Sequence, residues 1–219
     1  MKIEKLQYIF DPLCGWCYAS APALAYLAQS CPQVLELLPS GLFSGEGARP
    51  MSPQFAAYAW GNDQRIASLT GQRFSEEYHQ LLNSGGNFDS HALNCALTAC
   101  ERIAPEAEAG LLHELQIARY VRGLDTSRSD VVAKISNEYA MAKELEIHFP
   151  THGDPFTAGT ELAEITDKRT DSVKQLMRSV GVSGVPLLLV TIAGKTSTVS
   201  GADLYGGPAS VSHALKKLL

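Results

Sequence analysis

The stretch Tyr8-Ile9-Phe10-Asp11-Pro12-Leu13-Cys14-Gly15-Trp16-Cys17-Tyr18 joins a strand to a helix through a pair of cysteines. Upstream, residues 4 to 10 alternate in hydrophobicity and stop at Asp11-Pro12, the pattern of a strand closed by a turn. Downstream, Trp16, Ala19, Ala23, Leu24 and Leu27 recur at helical spacing, so residues 15 to 29 read as a helix that begins at Cys14 and ends near Ser30-Cys31-Pro32. Pro22 lies inside that span, where a missing N–H kinks a helix.

Two thiols three residues apart across the first turn of a helix have a specific chemistry. A cysteine at the helix start receives backbone N–H groups and the positive end of the macrodipole, which favours its thiolate, so Cys14 is expected to be the attacking group. Cys17, one turn inward and less exposed, can attack the mixed disulfide formed at Cys14 and release the substrate. Asp11, three residues before Cys14, has two readings: a turn former ahead of Pro12, or a carboxylate that relays protons during exchange and tunes the resolving thiol.

A second strand follows at about 34 to 39. From Pro50 to about Arg169 the texture becomes helical, with breaks at Gly71, Ser84-Gly85-Gly86, Pro105, Gly123 and Pro150, and five or six helices are expected. Asp89-Ser90 before Ala92 and Ser129-Asp130 before Val131 suit N-caps. A further helix at about 170 to 180 stops at Gly181. Ser183-Gly184-Val185-Pro186 then leads into the apolar run Leu187 to Ile192, a buried strand, and Ala193-Gly194-Lys195 turns into a strand from Thr196 to Ser200. An amphipathic helix from about Pro208 to Leu218 closes the chain. The helical block reads as inserted into one domain, with 1–45 and 170–219 on either side of an insertion at 46–169. A Gly184-Val185-Pro186 segment placed after a Cys-X-X-Cys helix points to a cis Val185–Pro186 bond and to Val185 backbone available to an extended substrate.

Composition narrows the function classes. The 219 residues carry a formal charge of -5 and no run of like charges, which argues against nucleic acid and against a membrane surface. The longest apolar run, Val185 to Ile192, is strand-sized, and the amino terminus shows no signal core, so a cytoplasmic protein is expected provided no leader precedes it. Five cysteines, at 14, 17, 31, 95 and 100, are an odd number and do not suit a disulfide-stapled scaffold. Zinc ligation by Cys14 and Cys17 with Cys95, Cys100, His79 or His91 is disfavoured because the second pair lacks knuckle spacing. Cys95 and Cys100 read as packed small hydrophobes and Cys31 as a buried helix-end residue. Leu13, Trp16, Leu42, Phe43 and Val185 are expected near the catalytic face, mostly as core, with Trp16 the most exposed. No metal is called for, and no organic cofactor beyond glutathione as a possible thiol co-substrate.

The quoted stretch, together with Gly184-Val185-Pro186, resembles the disulfide-bond protein A (DsbA) family of thioredoxin-fold proteins, and more closely its leaderless branch identified as protein-disulfide isomerases. The resemblance spans the chain and implies an α/β thioredoxin fold with a large inserted all-helical subdomain. It implies Cys14 as nucleophile, Cys17 as resolving thiol, Pro186 as the cis-proline, and Gly15 and Trp16 as tuners of redox poise. The best-known DsbA proteins are exported oxidants with a histidine inside the motif. Gly15-Trp16 at that place therefore favours a reductase or isomerase acting on protein or small-molecule thiols and disulfides. Two alternatives remain: a glutathione-dependent transferase or isomerase resembling the kappa glutathione transferases and hydroxychromene carboxylate isomerases, and a non-catalytic peptide-binding module.

Overall fold

A computed structural model describes residues 2–150 and 154–219. The chain runs β1 (Ile3–Phe10), α1 (Gly15–Ala19), α2 (Ala21–Ser30), β2 (Leu35–Pro39), β3 (Arg49–Pro50), α3 (Pro53–Thr70), α4 (Glu76–Leu82), β4 (Asn87–Phe88), α5 (His91–Ile103), α6 (Glu108–Tyr120), α7 (Ser129–Ala142), α8 (Glu161–Ser179), β5 (Leu187–Ile192), β6 (Lys195–Ser200), α9 (Ala202–Tyr205) and α10 (Gly207–Leu218). Four strands form one sheet in the order β2-β1-β5-β6, with β1 parallel to β2 and antiparallel to β5, and β5 antiparallel to β6. The result is an α/β thioredoxin-type sheet with a large helical insertion between β2 and β5.

Both faces of the sheet are covered, which explains why β5 reads as a continuous apolar run rather than an alternating one. Leu6, Tyr8 and Phe10 of β1 join Leu188 and Val190 of β5 in the main core, beneath α1, α2 and the insertion. Ile9, Leu187 and Leu189 point the other way and pack on Val173 and Met177 of α8. The β5–β6 hairpin closes through Ala193 and Gly194, both at positive φ, +49° and +72°, as the two-residue turn with matching twist requires.

Several elements differ from the sequence reading. The helix expected over 15–29 is two helices, broken at Ser20, and Pro22 sits in the first turn of α2. There its missing N–H would have no helical partner anyway, so the break replaces a kink. The helix expected at 170 to 180 starts a full nine residues earlier, at Glu161, because Thr160 caps it by accepting from Ala163 N. The boundary expected at 169/170 thus falls inside α8. The insertion is not wholly helical, since β3 and β4 form a two-residue ladder. Ser129 is the first residue of α7 rather than part of its cap, which falls at Arg128. Ser90 does precede α5, but its side chain makes no cap bond; its hydroxyl is engaged elsewhere.

Candidate active site

Asp11 ends β1 and shapes the turn into the dithiol. Its Oδ1 accepts from Leu13 N at 2.9 Å, and its backbone carbonyl accepts from Cys14 N at 3.1 Å. It is more than a turn former: Oδ2 also accepts from Phe43 N at 3.1 Å and from the Ser90 hydroxyl at 3.0 Å, across 79 residues of sequence. Ser90 gives its hydroxyl to this carboxylate instead of to its own helix. Burial pushes the Asp11 carboxyl up to about 6, against the pull of those three donors.

Cys14 occupies the N-cap of α1 with extended backbone, φ -84° and ψ 116°, and its carbonyl accepts from Tyr18 N. Its side chain is 8% exposed, and its Sγ lies 3.6 Å from the Val185 carbonyl oxygen, 171 residues away. The Val185–Pro186 bond is cis. Cys17, one turn deeper, is 2% exposed. Burial first, then the hydrogen bond and charge of Cys14, push its thiol well above the ordinary cysteine range. The buried hydroxyl of Tyr8, on β1, feels both sulfurs. Two thiols of unequal exposure, with one facing a backbone carbonyl on a second loop, are arranged for stepwise exchange.

Gly15 is the first residue of α1, and a Cβ there would collide with Oδ1 of Asp63 and lie 3.0 Å from Ile66 Cδ1, both on α3. Trp16 is not the exposed residue of the group. Its ring packs on Tyr205 at 4.9 Å between centroids and is half-buried. Leu13 is buried, Phe43 is half-buried against Phe88, and Leu42 is the exposed one at 39%. Beside Cys14, Trp16, Tyr205, Arg65 and the segment Val182–Leu187 line a cavity of about 510 Å³ that takes in Gly184, Val185 and Pro186.

With this geometry in place, several solved structures similar in shape are informative. The cytosolic disulfide reductase DsbM from Pseudomonas aeruginosa superposes with a TM-score of 0.80 at 25% identity, covering 98% of each chain. Its form with GSH gives 0.75 at 24% identity, over 98% of this chain and 100% of that one. The chain is a DsbA-like thioredoxin-fold protein. Among DsbA-like neighbours, a candidate protein disulfide isomerase from Nitrosomonas europaea matches with a TM-score of 0.73 at 22% identity, over 99% of this chain and 97% of that one. A 2-hydroxychromene-2-carboxylate isomerase shares the fold more distantly, with a TM-score of 0.57 at 17% identity over 97% and 95% of the chains. No family model and no curated protein sequence matches this chain.

The other cysteines lie on elements outside the Cys14–Cys17 turn. Cys95 and Cys100 are fully buried, and burial pushes both thiols up to about 12. Cys31 caps α2 and is half-buried rather than buried. Among the described residues, no group of three or more His, Cys, Asp or Glu side chains is placed to hold a metal ion, and no helix is long and apolar enough to cross a membrane.

Asp63, Tyr205 and Arg65 escaped the sequence reading. Asp63 alone left a usable signal. It shares the buried stripe of α3 with Ala56 and Ile66, spaced seven and three residues away, and a carboxylate in a core phase of a helix rarely occurs without a task.

Proposed function

We propose that this chain reduces or isomerises disulfides by dithiol exchange, with Cys14 as nucleophile and Cys17 as resolving thiol. The observation that carries the reading is the placement of Cys14 Sγ at the start of α1, 3.6 Å from the Val185 carbonyl, with Cys17 buried one turn behind. In the first step the Cys14 thiolate attacks one sulfur of a disulfide. An S–S bond forms to Cys14, the substrate S–S bond breaks, and the departing thiolate takes a proton from water. In the second, Cys17 loses its proton and attacks Cys14 Sγ, forming the Cys14–Cys17 disulfide and releasing the second substrate thiol. Two equivalents of a small thiol such as glutathione return the pair to the dithiol and leave as their own disulfide.

Asp11, with its carboxyl held near neutrality beside the buried thiol, is the proton acceptor for Cys17 in this scheme. Gly184, Val185 and Pro186 bind the substrate backbone, and Gly15 and Trp16 set the poise of the pair. Glutathione is a co-substrate rather than a cofactor, and the DsbM form with GSH supports that assignment, as it supports a cytosolic setting.

The test is the equilibrium of the pair against glutathione buffers, read by alkylation and mass spectrometry, with Cys17→Ala as control. A reversible two-electron couple in the wild type, replaced by a mixed disulfide at Cys14 in the variant, is the expected result. Absence of an intramolecular disulfide at every poise would overturn it. The likeness to the hydroxychromene carboxylate isomerase favours a second reading, glutathione-dependent isomerisation or transfer. That reading predicts full activity after Cys17→Ala, and a binding module predicts unchanged binding after Cys14→Ser.

A further inference from the structure

We propose that Asp63, on the helical insertion, sets the redox poise of the Cys14–Cys17 pair from outside the motif, through a carboxylate seated against the first turn of α1. The inference rests on the dithiol reading above.

The contact is direct. Oδ1 of Asp63 fills the space that a side chain at position 15 would occupy, so glycine there and aspartate on α3 form one fitted pair. Asp63 is 4% exposed, and its other oxygen accepts from the Tyr78 hydroxyl at 2.8 Å. Behind Tyr78 lies the guanidinium of Arg119, 5.8 Å from the tyrosine ring, on a side chain that is almost completely buried. The groups facing Asp63 are therefore Tyr78 from α4, Arg119 and Tyr120 from α6, Asn62 on its own helix, and the dithiol turn. The Tyr120 hydroxyl feels both the Asp63 carboxyl and the Cys14 thiol, so all three share one buried region.

The sign of the effect follows from charge. Oxidising the pair removes two electrons and forms the Sγ–Sγ bond, and the thiolate charge at Cys14 disappears. The thiolate is the form that attacks. An ionised carboxylate packed into the same turn opposes it, and it leaves the uncharged disulfide nearly untouched. Ionised Asp63 therefore raises the reduced form relative to the disulfide and makes the dithiol a stronger reductant. Burial holds the Asp63 carboxyl up at about 7, against the pull of Tyr78 and Arg119, so this influence grows as pH rises through neutrality.

Asp63→Asn keeps the shape and an oxygen for Tyr78 while removing the charge. The expected result at pH 8 is a shift of about tenfold toward the dithiol in glutathione buffers, equivalent to about one pK unit of interaction between the carboxylate and the thiolate. The pH at which Cys14 alkylation accelerates falls in the same variant. Gly15→Ala, which displaces the carboxylate, shifts the equilibrium in the same direction in the wild type and adds nothing in the Asp63→Asn background. Should Asp63→Asn not fold, Tyr78→Phe withdraws the donor that favours the ionised carboxylate and gives a smaller shift of the same sign. A purely structural role would change the urea midpoint and leave both thiol readouts fixed. That result, or a shift toward the disulfide, overturns the inference while the wild-type couple stands. A wild type without an intramolecular disulfide overturns the dithiol reading and the inference with it.

Discussion

Replacing Asp11 by asparagine should change how stability depends on pH, with a sign opposite to that of most carboxylates in proteins. A paired surface carboxylate has a depressed folded-state value and stabilises the fold as pH rises. Burial instead carries Asp11 from an ordinary 3.8 to about 6, despite donors from Leu13, Phe43 and Ser90. Between those two values the native state holds a proton that the unfolded chain has released, so the native state binds more protons and stability falls as pH rises. The contribution is fully present below about pH 4 and lost by about pH 7, and the difference corresponds to about 3 kcal/mol. Asparagine carries no charge to desolvate, but it turns an NH2 toward one of the three donors, a roughly constant cost of about 1–3 kcal/mol. Urea unfolding of both proteins at intervals from pH 4 to 8 separates the two effects. The stability of Asp11→Asn relative to wild type should climb by about 2.5 kcal/mol across that range, with the midpoint of the full change near pH 5 and a plateau above about pH 7. A flat difference, or one that falls with pH, would mean that the three donors outweigh burial, and would remove Asp11 as an acceptor for the Cys17 proton near neutrality.

Arg169 joins four elements: its guanidinium bonds Glu108 at 2.7 and 3.0 Å, the Leu37 carbonyl at 2.8 Å and the Thr98 hydroxyl at 3.3 Å. Arg169→Met leaves Glu108 buried without its partner and should lower unfolding free energy by about 3–5 kcal/mol, measured by urea titration at pH 7; a loss under about 1 kcal/mol would show that the pair contributes little. In native protein, Cys95 and Cys100 should resist iodoacetamide while Cys14 reacts, because burial both covers them and raises their thiols to about 12. Timed labelling with peptide mapping checks this, and modification of Cys95 at the rate of Cys14 would contradict it.

Local rules carried the sequence reading furthest where a single residue type dictates backbone geometry. The strand before Asp11-Pro12, the helix start at Cys14 and the hairpin at Ala193-Gly194 all follow from hydrophobic period and turn chemistry, and each stands where expected. The reading weakened where tertiary partners override local preference. Ser90 looks like a cap in sequence, yet Asp11 takes its hydroxyl. Trp16, placed between two cysteines in a motif, looks exposed until Tyr205 closes over it from α9. The true start of α8 was hidden because Thr160 gives a weaker signal than the loop composition around it. Asp63 is a carboxylate in the core phase of α3, but its place was not legible: only the fold brings α3 against Gly15, and nothing near Cys14 in sequence announces it.

The double engagement of Asp11, with Leu13 on its own turn and with Phe43 and Ser90 farther along, has a consequence for protein engineering. Transplanting residues 8 to 18 into another scaffold would carry over the two thiols but strand the carboxylate, since two of its three donors would stay behind. Excising the insertion from this chain would do the same from the other side, taking Ser90 away with α5. The dithiol segment is thus not a portable cassette: the smallest transferable unit includes the loop at Phe43 and the start of α5, and any shortened version has to supply a new donor to Asp11.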